Sequence, residues 1–294
     1  MKLIQVLILG LSLGAIYGLI ALSFVTIFKG TKVFNLAQGS VMIVGVYVTS
    51  LLTGAIGFFA AAAAGVLAAA LLAAILDRIV ALAPRGDHLV LTILTVGLDI
   101  ILVAETARLL GTKFITVGDP WGSQTITLLG ATVPLTRVIA LLVGIVLIGI
   151  FFLVFRKTRF GVRMRASAAD PETAALMGIS QRSVSLTSWA IGGGMAAVAG
   201  IFLAMFPNPG LDAHAHLLAF HAIPAVIIGG LDSSEGAILG GLIVGVTQTV
   251  VTSYASSLRF LGEGIGDVSP YILMILFLLV RPSGIFGTKE LVRV

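Results

Sequence analysis

The sequence has 294 residues, of which 58% are hydrophobic, only 11% are charged and none is cysteine. Soluble domains carry about 25% charged residues, so a chain this apolar (mean hydropathy +1.13) cannot clothe a water-facing surface. Disulfides and thiolate metal sites are excluded. The net charge of +5 would suit nucleic acid, but the basic residues sit at the ends of apolar runs, where they set membrane topology instead.

A helix needs ~20 apolar residues to cross the hydrocarbon core. Runs of that length are expected at 3–28, 34–53, 57–82, 89–111, 137–155, 184–206 and, shorter, at 268–281 with its flanks. The first follows Met1-Lys2 and exceeds the ~7–15 residues of a signal-peptide core, so a retained span is expected. From 217 to 256 an apolar stretch is broken by Gly229, Gly230 and the run Asp232-Ser233-Ser234-Glu235-Gly236, which predicts a short or re-entrant segment, a turn and a full span. The expectation is an all-α integral membrane protein of about eight transmembrane helices, forming a single domain over 1–294.

Lys and Arg concentrate on the cytoplasmic side of membrane proteins. The segment 156–182 carries Arg156, Lys157, Arg159, Arg163, Arg165 and Arg182, and is therefore placed in the cytoplasm. Alternating crossings then put every Lys and Arg inside except Lys2, Arg108, Lys113, Arg137 and Arg259. The N-terminus is expected outside and the C-terminus inside. Small residues cluster at Ala60–Ala64, Gly192–Ala197 and Gly236–Gly241, as in helices that pack closely in lipid.

The loop 156–183 contains a self-capped helix signature. Asp170 suits the N-cap, Pro171 the first helical position, Glu172 the positive end of the dipole and Gly178 the position past the helix end. Such a helix, about two turns long and including Ala174, would expose Leu176 and Met177. It is marginal alone in water, so a covering partner, or its own bundle or the lipid headgroups, is expected to support it.

Two polar breaks interrupt the apolar runs, Asn35–Ser40 and Asp232–Gly236. Broken helices at membrane depth need protein or a water-filled cavity to receive their backbone groups, and paired breaks point to a substrate path. Gln38-Gly39-Ser40 and Glu235-Gly236-Ala237 each open an apolar span and hint at an internal repeat. Asp99 falls mid-span, where a carboxylate costs ~2.5–3.5 kcal/mol. It is expected to find an interior donor, either lining the path or acting as a strut. Glu105 and Arg108 are spaced to pair. Asp212, His214, His216 and His221 lie within ten residues, but without cysteine or a second cluster they read as interfacial residues, and no metal or other cofactor is expected.

No phosphate-binding Gly-x-x-x-x-Gly-Lys-Ser/Thr loop and no hydrolase or metalloprotease signature occurs. Nothing reads as an enzyme, and ATP hydrolysis, if used, must occur on another polypeptide.

Three stretches and the 156–183 loop resemble the permeases of branched-chain amino acid ABC transporters. Asn35-Leu36-Ala37-Gln38-Gly39 is similar to that family's Asn-Phe-Ala-His-Gly, with Gln38 in place of the histidine. Ala225–Gly230 followed by Gly236-Ala237 resembles its Gly-Gly-x-Gly-Ser-x-x-Gly-Ala, with Asp232–Glu235 replacing a more neutral linker. Arg281-Pro282-Ser283-Gly284-Ile285-Phe286-Gly287 looks like its Arg-Pro-x-Gly-x-x-Gly. The resemblance implies a translocation subunit of the cell (inner or plasma) membrane. Its partners would be ATP-binding subunits, a second permease subunit (hetero- or homodimeric) and an external solute-binding protein, with lipid around it and no nucleic acid. It implies coupling to the ATPase through Asp170, Pro171, Glu172, Ala174, Leu176, Met177 and Gly178. The path is expected along Asn35, Gln38, Gly39, Ser40, Asp99, Gly229, Gly230 and Gly236. Alternatives are an ion- or proton-coupled secondary transporter with Asp99 as coupling carboxylate, a structural scaffold, or the same importer class carrying urea, amides or aromatic acids.

Overall fold

The computed structural model describes residues 2–83, 87–111, 113–128, 130–206, 209–212, 214–257 and 264–287. Of the basic residues weighed for topology, Arg85, Arg259, Lys289 and Arg293 lie outside the described residues.

The long apolar runs form helices α1 (Lys2–Thr31), α2 (Gln38–Ile56), α3 (Phe58–Val80), α4 (His88–Leu110), α5 (Leu135–Lys157), α8 (Gln181–Leu203) and α10 (Ser234–Ser253). Among the described residues these are the seven long and apolar enough to cross a membrane. Between α5 and α8 lie two short helices, α6 (Arg159–Ala169) and α7 (Pro171–Leu176). After α8 come a 3₁₀ segment (Ala215–Ala222) and α9 (Ile223–Gly229), and α11 (Ile265–Val280) follows α10. The 217–256 stretch thus divides as its sequence predicts. With 16 residues, α11 rises only about 24 Å, short of the ~30 Å core. The fold is that of an all-α multi-pass membrane protein.

An antiparallel hairpin, β1 (Thr125–Leu128) and β2 (Ala131–Pro134), precedes α5, with Thr125 opposite Pro134 and Leu128 opposite Ala131. The span-based reading does not foresee it, because a window long enough to find spans averages over strands of four residues. Its local signal is the β-branched Thr125, Ile126, Thr127, Thr132 and Val133 around Gly130, whose φ is +79°.

The chain forms two compact units, with boundaries inside α1, α5 and the 3₁₀ segment and one at 120/121. The first takes residues 1–25, 121–144 and 220–294. Here α1 meets α10 through glycines. A Cβ on Gly14 would lie 2.8 Å from the Leu242 Cα, one on Gly10 would lie 2.9 Å from the Val246 Cα, and Gly241 and Gly245 abut the backbone of Gly18 and Gly14. Glycines at every fourth position present one smooth stripe, so two backbones touch and dispersion replaces the hydrophobic drive missing in lipid. A polar chain, buried at Tyr17 and Gln248, ties three helices of this unit. Tyr17 Oη donates to Gln248 Oε1 (2.7 Å), and Gln248 Nε2 donates to Asp267 Oδ1 (3.1 Å).

The second unit takes residues 26–120 and 145–219. Its centre is α2, α3 and α8, again joined by small residues. Gly45 faces Ala197 and Ala69, and a Cβ on Gly193 would stand 2.7 Å from the Ala69 carbonyl oxygen. In α8 67% of the apolar window is buried, against 17% in α4. The outward row Leu89, Ile93, Ile100 and Ile101 of α4 is therefore left for lipid or another subunit.

Candidate functional site

The first break, residues 32–37, lies between α1 and α2 in the second unit. Most of its backbone donors have a named acceptor. Lys32 N–H returns to the Phe28 carbonyl (2.7 Å), in a left-handed conformation with φ +58°. Val33 N–H reaches Thr31 Oγ1 (3.2 Å), Phe34 N–H reaches Thr92 Oγ1 (3.3 Å) and Leu36 N–H reaches Thr95 Oγ1 (3.0 Å). Ala37 N–H is taken by Asn35 Oδ1 (3.1 Å) and Gln38 N–H by the Asn35 carbonyl (3.3 Å). An irregular segment is tolerable at membrane depth because neighbouring protein supplies these acceptors. Thr92 and Thr95, spaced three apart on α4, are acceptors for the break that sequence reading missed; their signal was two hydroxyls on one face of an apolar span.

Asn35 and Gln38 are buried and joined. Asn35 Nδ2 donates to Gln38 Oε1 (2.8 Å), and Gln38 Nε2 donates to the Gly192 carbonyl on α8 (3.0 Å). Both functions of the Gln38 amide are thus engaged, one as acceptor and one as donor. A Cβ at Gly39 would fall on the His216 carbonyl. Ser40 Oγ donates to Asp99 Oδ1 at 2.5 Å, so the mid-span carboxylate has its interior donor while staying partly exposed on α4. Five of the expected path residues, Asn35, Gln38, Gly39, Ser40 and Asp99, are brought together here. Nearer the end of α4, Glu105 and Arg108 form the expected pair, at 2.5 Å.

The other three, Gly229, Gly230 and Gly236, belong to the first unit, where they build a backbone crossing. A Cβ on Gly229 would collide with Gly236, and one on Gly236 with the Gly229 carbonyl. Gly230 has φ +104° and packs on Gly287 and Gly284. Ile285 N–H and Phe286 N–H donate to the carbonyls of Ile228 (2.8 Å) and Gly229 (3.1 Å). The last carbonyls of a helix lack intrahelical donors, and those of α9 receive theirs from the 281–287 segment. The two motifs, read far apart in the sequence, are halves of one joint.

The exposed end of the second unit carries α6 and α7. Asp170 Oδ1 accepts from Glu172 N–H (3.0 Å) and Thr173 N–H (3.1 Å), and Oδ2 accepts from the Thr173 hydroxyl (2.6 Å). That hydroxyl first, then the two amides, hold the Asp170 carboxyl below its ordinary range. At the other end Gly178, with φ +80°, lets Gly178 N–H bond the Ala175 carbonyl (2.9 Å) and Ile179 N–H bond that of Ala174 (3.0 Å). Ser167 Oγ bonds Gln181 Oε1, and Gln181 Nε2 donates to the Pro171 carbonyl (3.0 Å), so α6, α7 and α8 are braced together. Ala174 is buried beneath the helix, whereas Leu176 and Met177 are 88% and 79% exposed. The end of α5 and helix α6 carry Arg156, Lys157, Arg159, Arg163 and Arg165, all exposed.

The histidines fall in different units. His214 N–H caps onto Asp212 Oδ1 (3.0 Å) in the second unit, while the His221 ring stands edge-on to Tyr17 and Tyr271 (centroids 6.5 and 6.1 Å) in the first.

The family described as "Branched-chain amino acid transport system / permease component" matches residues 6–280. The chain belongs to this family. The high-affinity branched-chain amino acid transport system permease protein LivH of Salmonella typhimurium is 29% identical over 97% of the chain and 96% of that protein. A probable branched-chain amino acid transport permease protein LivH of Methanocaldococcus jannaschii is 31% identical over 92% and 88%. BraD of Pseudomonas aeruginosa, named as a permease protein of the same kind, is 27% identical over 99% and 98%. This permease family replaces the ion-coupled carrier that Asp99 alone would allow.

Proposed function

We propose that this permease is the membrane-spanning subunit of an ATP-driven importer. It passes branched-chain amino acids, or similar small amino-acid-like solutes, from an external binding protein to the cytoplasm. The observation that carries the reading is α7, a six-residue helix capped at both ends and braced to its neighbours, with Leu176 and Met177 projecting into solvent. A helix that short does not persist for its own sake. Its two bare apolar side chains suit a groove on an ATP-binding subunit.

The loop at about 156–183 is then cytoplasmic, the N-terminus external and the C-terminus cytoplasmic, and the whole chain acts as one permease domain that pairs with a second permease subunit. Solute passes beside the break at 32–40, where Asp99 and Ser40 offer the polar group nearest the surface, with Asn35, Gln38 and Gly39 behind them. Gly229, Gly230 and Gly236 serve the path by fixing the backbone of their own unit. Movement of α7 on nucleotide binding would be transmitted through the Gln181 brace to α8, and from α8 through the Gly192–Gln38 bond to the break. Hydrolysis belongs to the partner, and the external binding protein selects the cargo.

The test is affinity capture from detergent-solubilised membranes, comparing wild type with Gly178→Asp. Wild type should recover an ATP-binding subunit and the variant should not. Equal recovery would remove α7 from the contact, and transport by the chain reconstituted alone would end the importer reading.

A further inference from the structure

Between Asp119 and Asp170 the sequence has no acidic residue, yet five basic residues crowd the short stretch from Arg156 to Arg165. Two of them are held to the end of α5. Arg156 Cζ lies over the Phe152 ring, 5.9 Å from its centroid. Arg165 lies over Phe155 at 5.3 Å and donates to the Phe155 carbonyl. Lys157, Arg159 and Arg163 are exposed and make no hydrogen bond or ion pair among the described residues. Like charges this close repel one another, and an anion that meets them relieves the repulsion.

Helix α6 fixes where these cations stand. Thr158 breaks the helix in an extended conformation (φ −107°, ψ 160°) and caps α6, its hydroxyl accepting from Gly161 N–H. A Cβ on Gly161 would collide with the Phe155 carbonyl, so α6 packs directly against the last turn of α5. Gly161, Met164 and Ser167 are its buried residues. Arg159, Val162 and Arg163, spaced i, i+3 and i+4, share the outer face, where Val162 is 55% exposed.

The level of this face follows from the length of the span. The apolar run 138–155 has 18 residues and rises about 27 Å as a helix, close to the ~30 Å of the hydrocarbon core. The basic residues that follow emerge among the headgroups, and contact with Phe155, the last residue of that run, keeps α6 there. Arginine matches phosphate oxygens with a planar fork. An apolar side chain between two arginines enters the acyl boundary, as in helices that lie on a membrane surface. An acidic rim on a soluble partner would match the charges too, but lipid phosphate is already present at that level. A zwitterionic lipid brings its own ammonium group to the phosphate, so a net-anionic headgroup fits three cations better.

We propose that the outer face of α6, together with Lys157, is a binding site for an anionic phospholipid, with the headgroup phosphate on Arg159 and Arg163. Asp170 alone separates α6 from α7, so a bound lipid steadies the base of the docking helix. This consequence rests on the reading of α7 given above; the lipid binding does not.

The test is native mass spectrometry of the delipidated full chain, with the subunits that co-purify, titrated with phosphatidylglycerol or with phosphatidylcholine of the same acyl chains. Phosphatidylglycerol should bind the wild type more tightly. A basic residue at an anionic lipid surface is worth about fivefold in affinity, so the double variant Arg159→Gln, Arg163→Gln should bind phosphatidylglycerol on the order of twentyfold more weakly. Arg159→Lys with Arg163→Lys should recover most of that loss, which a merely misfolded site would not. Equal affinity of the wild type for the two lipids would overturn the assignment, as would unchanged phosphatidylglycerol affinity in the glutamine variant. Displacement of the lipid by excess inorganic phosphate would overturn it as well. Loss of ATPase recovery in the glutamine variant with lipid affinity unchanged would give the patch to the protein partner instead. Lipid affinity and ATPase capture are separate readouts, so either can fail without the other.

Discussion

Gly178→Ala isolates the backbone contribution to the α7 cap. Gly178 sits at φ +80°, and a methyl group there would meet no heavy atom within 4 Å. Alanine therefore adds no clash and removes no side-chain contact; what remains is the cost of holding a residue with a Cβ in the left-handed region, about 1–2 kcal/mol. The hydrogen bonds that depend on this conformation are Gly178 N–H to Ala175 and Ile179 N–H to Ala174. A destabilisation of ~1 kcal/mol should raise their open population about fivefold. Hydrogen exchange followed by mass spectrometry on the peptide spanning 174–180 should show that acceleration. Gly178→Asn should lose less, because asparagine visits the left-handed region more readily. Recovery of the ATP-binding subunit should follow the same order, glycine above asparagine above alanine. Exchange in the alanine variant indistinguishable from wild type would refute the claim that the left-handed turn holds the helix end.

Thr95→Val should leave the Leu36 N–H without its acceptor and cost about 1–3 kcal/mol, read as a lower unfolding temperature in detergent, while Thr95→Ser should hold near wild type. Gly14→Leu should overpack the α1–α10 contact by about 1–3 kcal/mol or more and cut folded yield. Gly54→Ala, where a Cβ meets nothing within 4 Å, should leave yield unchanged. Leu176→Asp should abolish ATPase recovery without lowering the unfolding temperature, since the side chain is 88% exposed. Asp170 has a lowered carboxyl pKa in the folded chain, so its stabilisation is full above the unfolded value of about 3.9. It is lost as pH falls through the lower folded value. ATPase recovery should therefore be flat through neutral pH and should not titrate there, and Asp170→Ser, a cap that does not ionise, should behave alike across that range.

The parts of this fold legible in the sequence are those whose causes are local. Asp170, Pro171 and Gly178 each act on backbone within four residues, so the α7 signature could be read before any fold existed. The break at Asn35–Ser40 announced itself as polarity between apolar runs, and the break after Gly229 did the same. What the sequence did not reveal is who answers each break. Thr92 and Thr95 meet Phe34 and Leu36 only once α4 stands beside the break, and Ile285 meets Ile228 only once α11 has turned the chain back. Hydrogen bonds across such separations leave no periodicity. The stripe Gly10, Gly14, Gly18 takes its meaning only from Gly241 and Gly245. The start of α8 at Gln181, ahead of the expected 184, is set by the Ser180 cap, whose hydroxyl accepts from Ser183 N–H at 3.3 Å.

The joint between α9 and residues 284–287 also sets an order of assembly. The carbonyls of Ile228 and Gly229 leave the ribosome well before Ile285 and Phe286, their donors. At synthesis rates of about 5–20 residues per second, the interval lasts on the order of several seconds. During it, the end of α9 must borrow other donors, from water, from lipid headgroups or from the insertion machinery. The end of α9 is thus among the last pieces of this permease to reach its final form, and a chaperone or protease that samples nascent membrane proteins has its widest opportunity there.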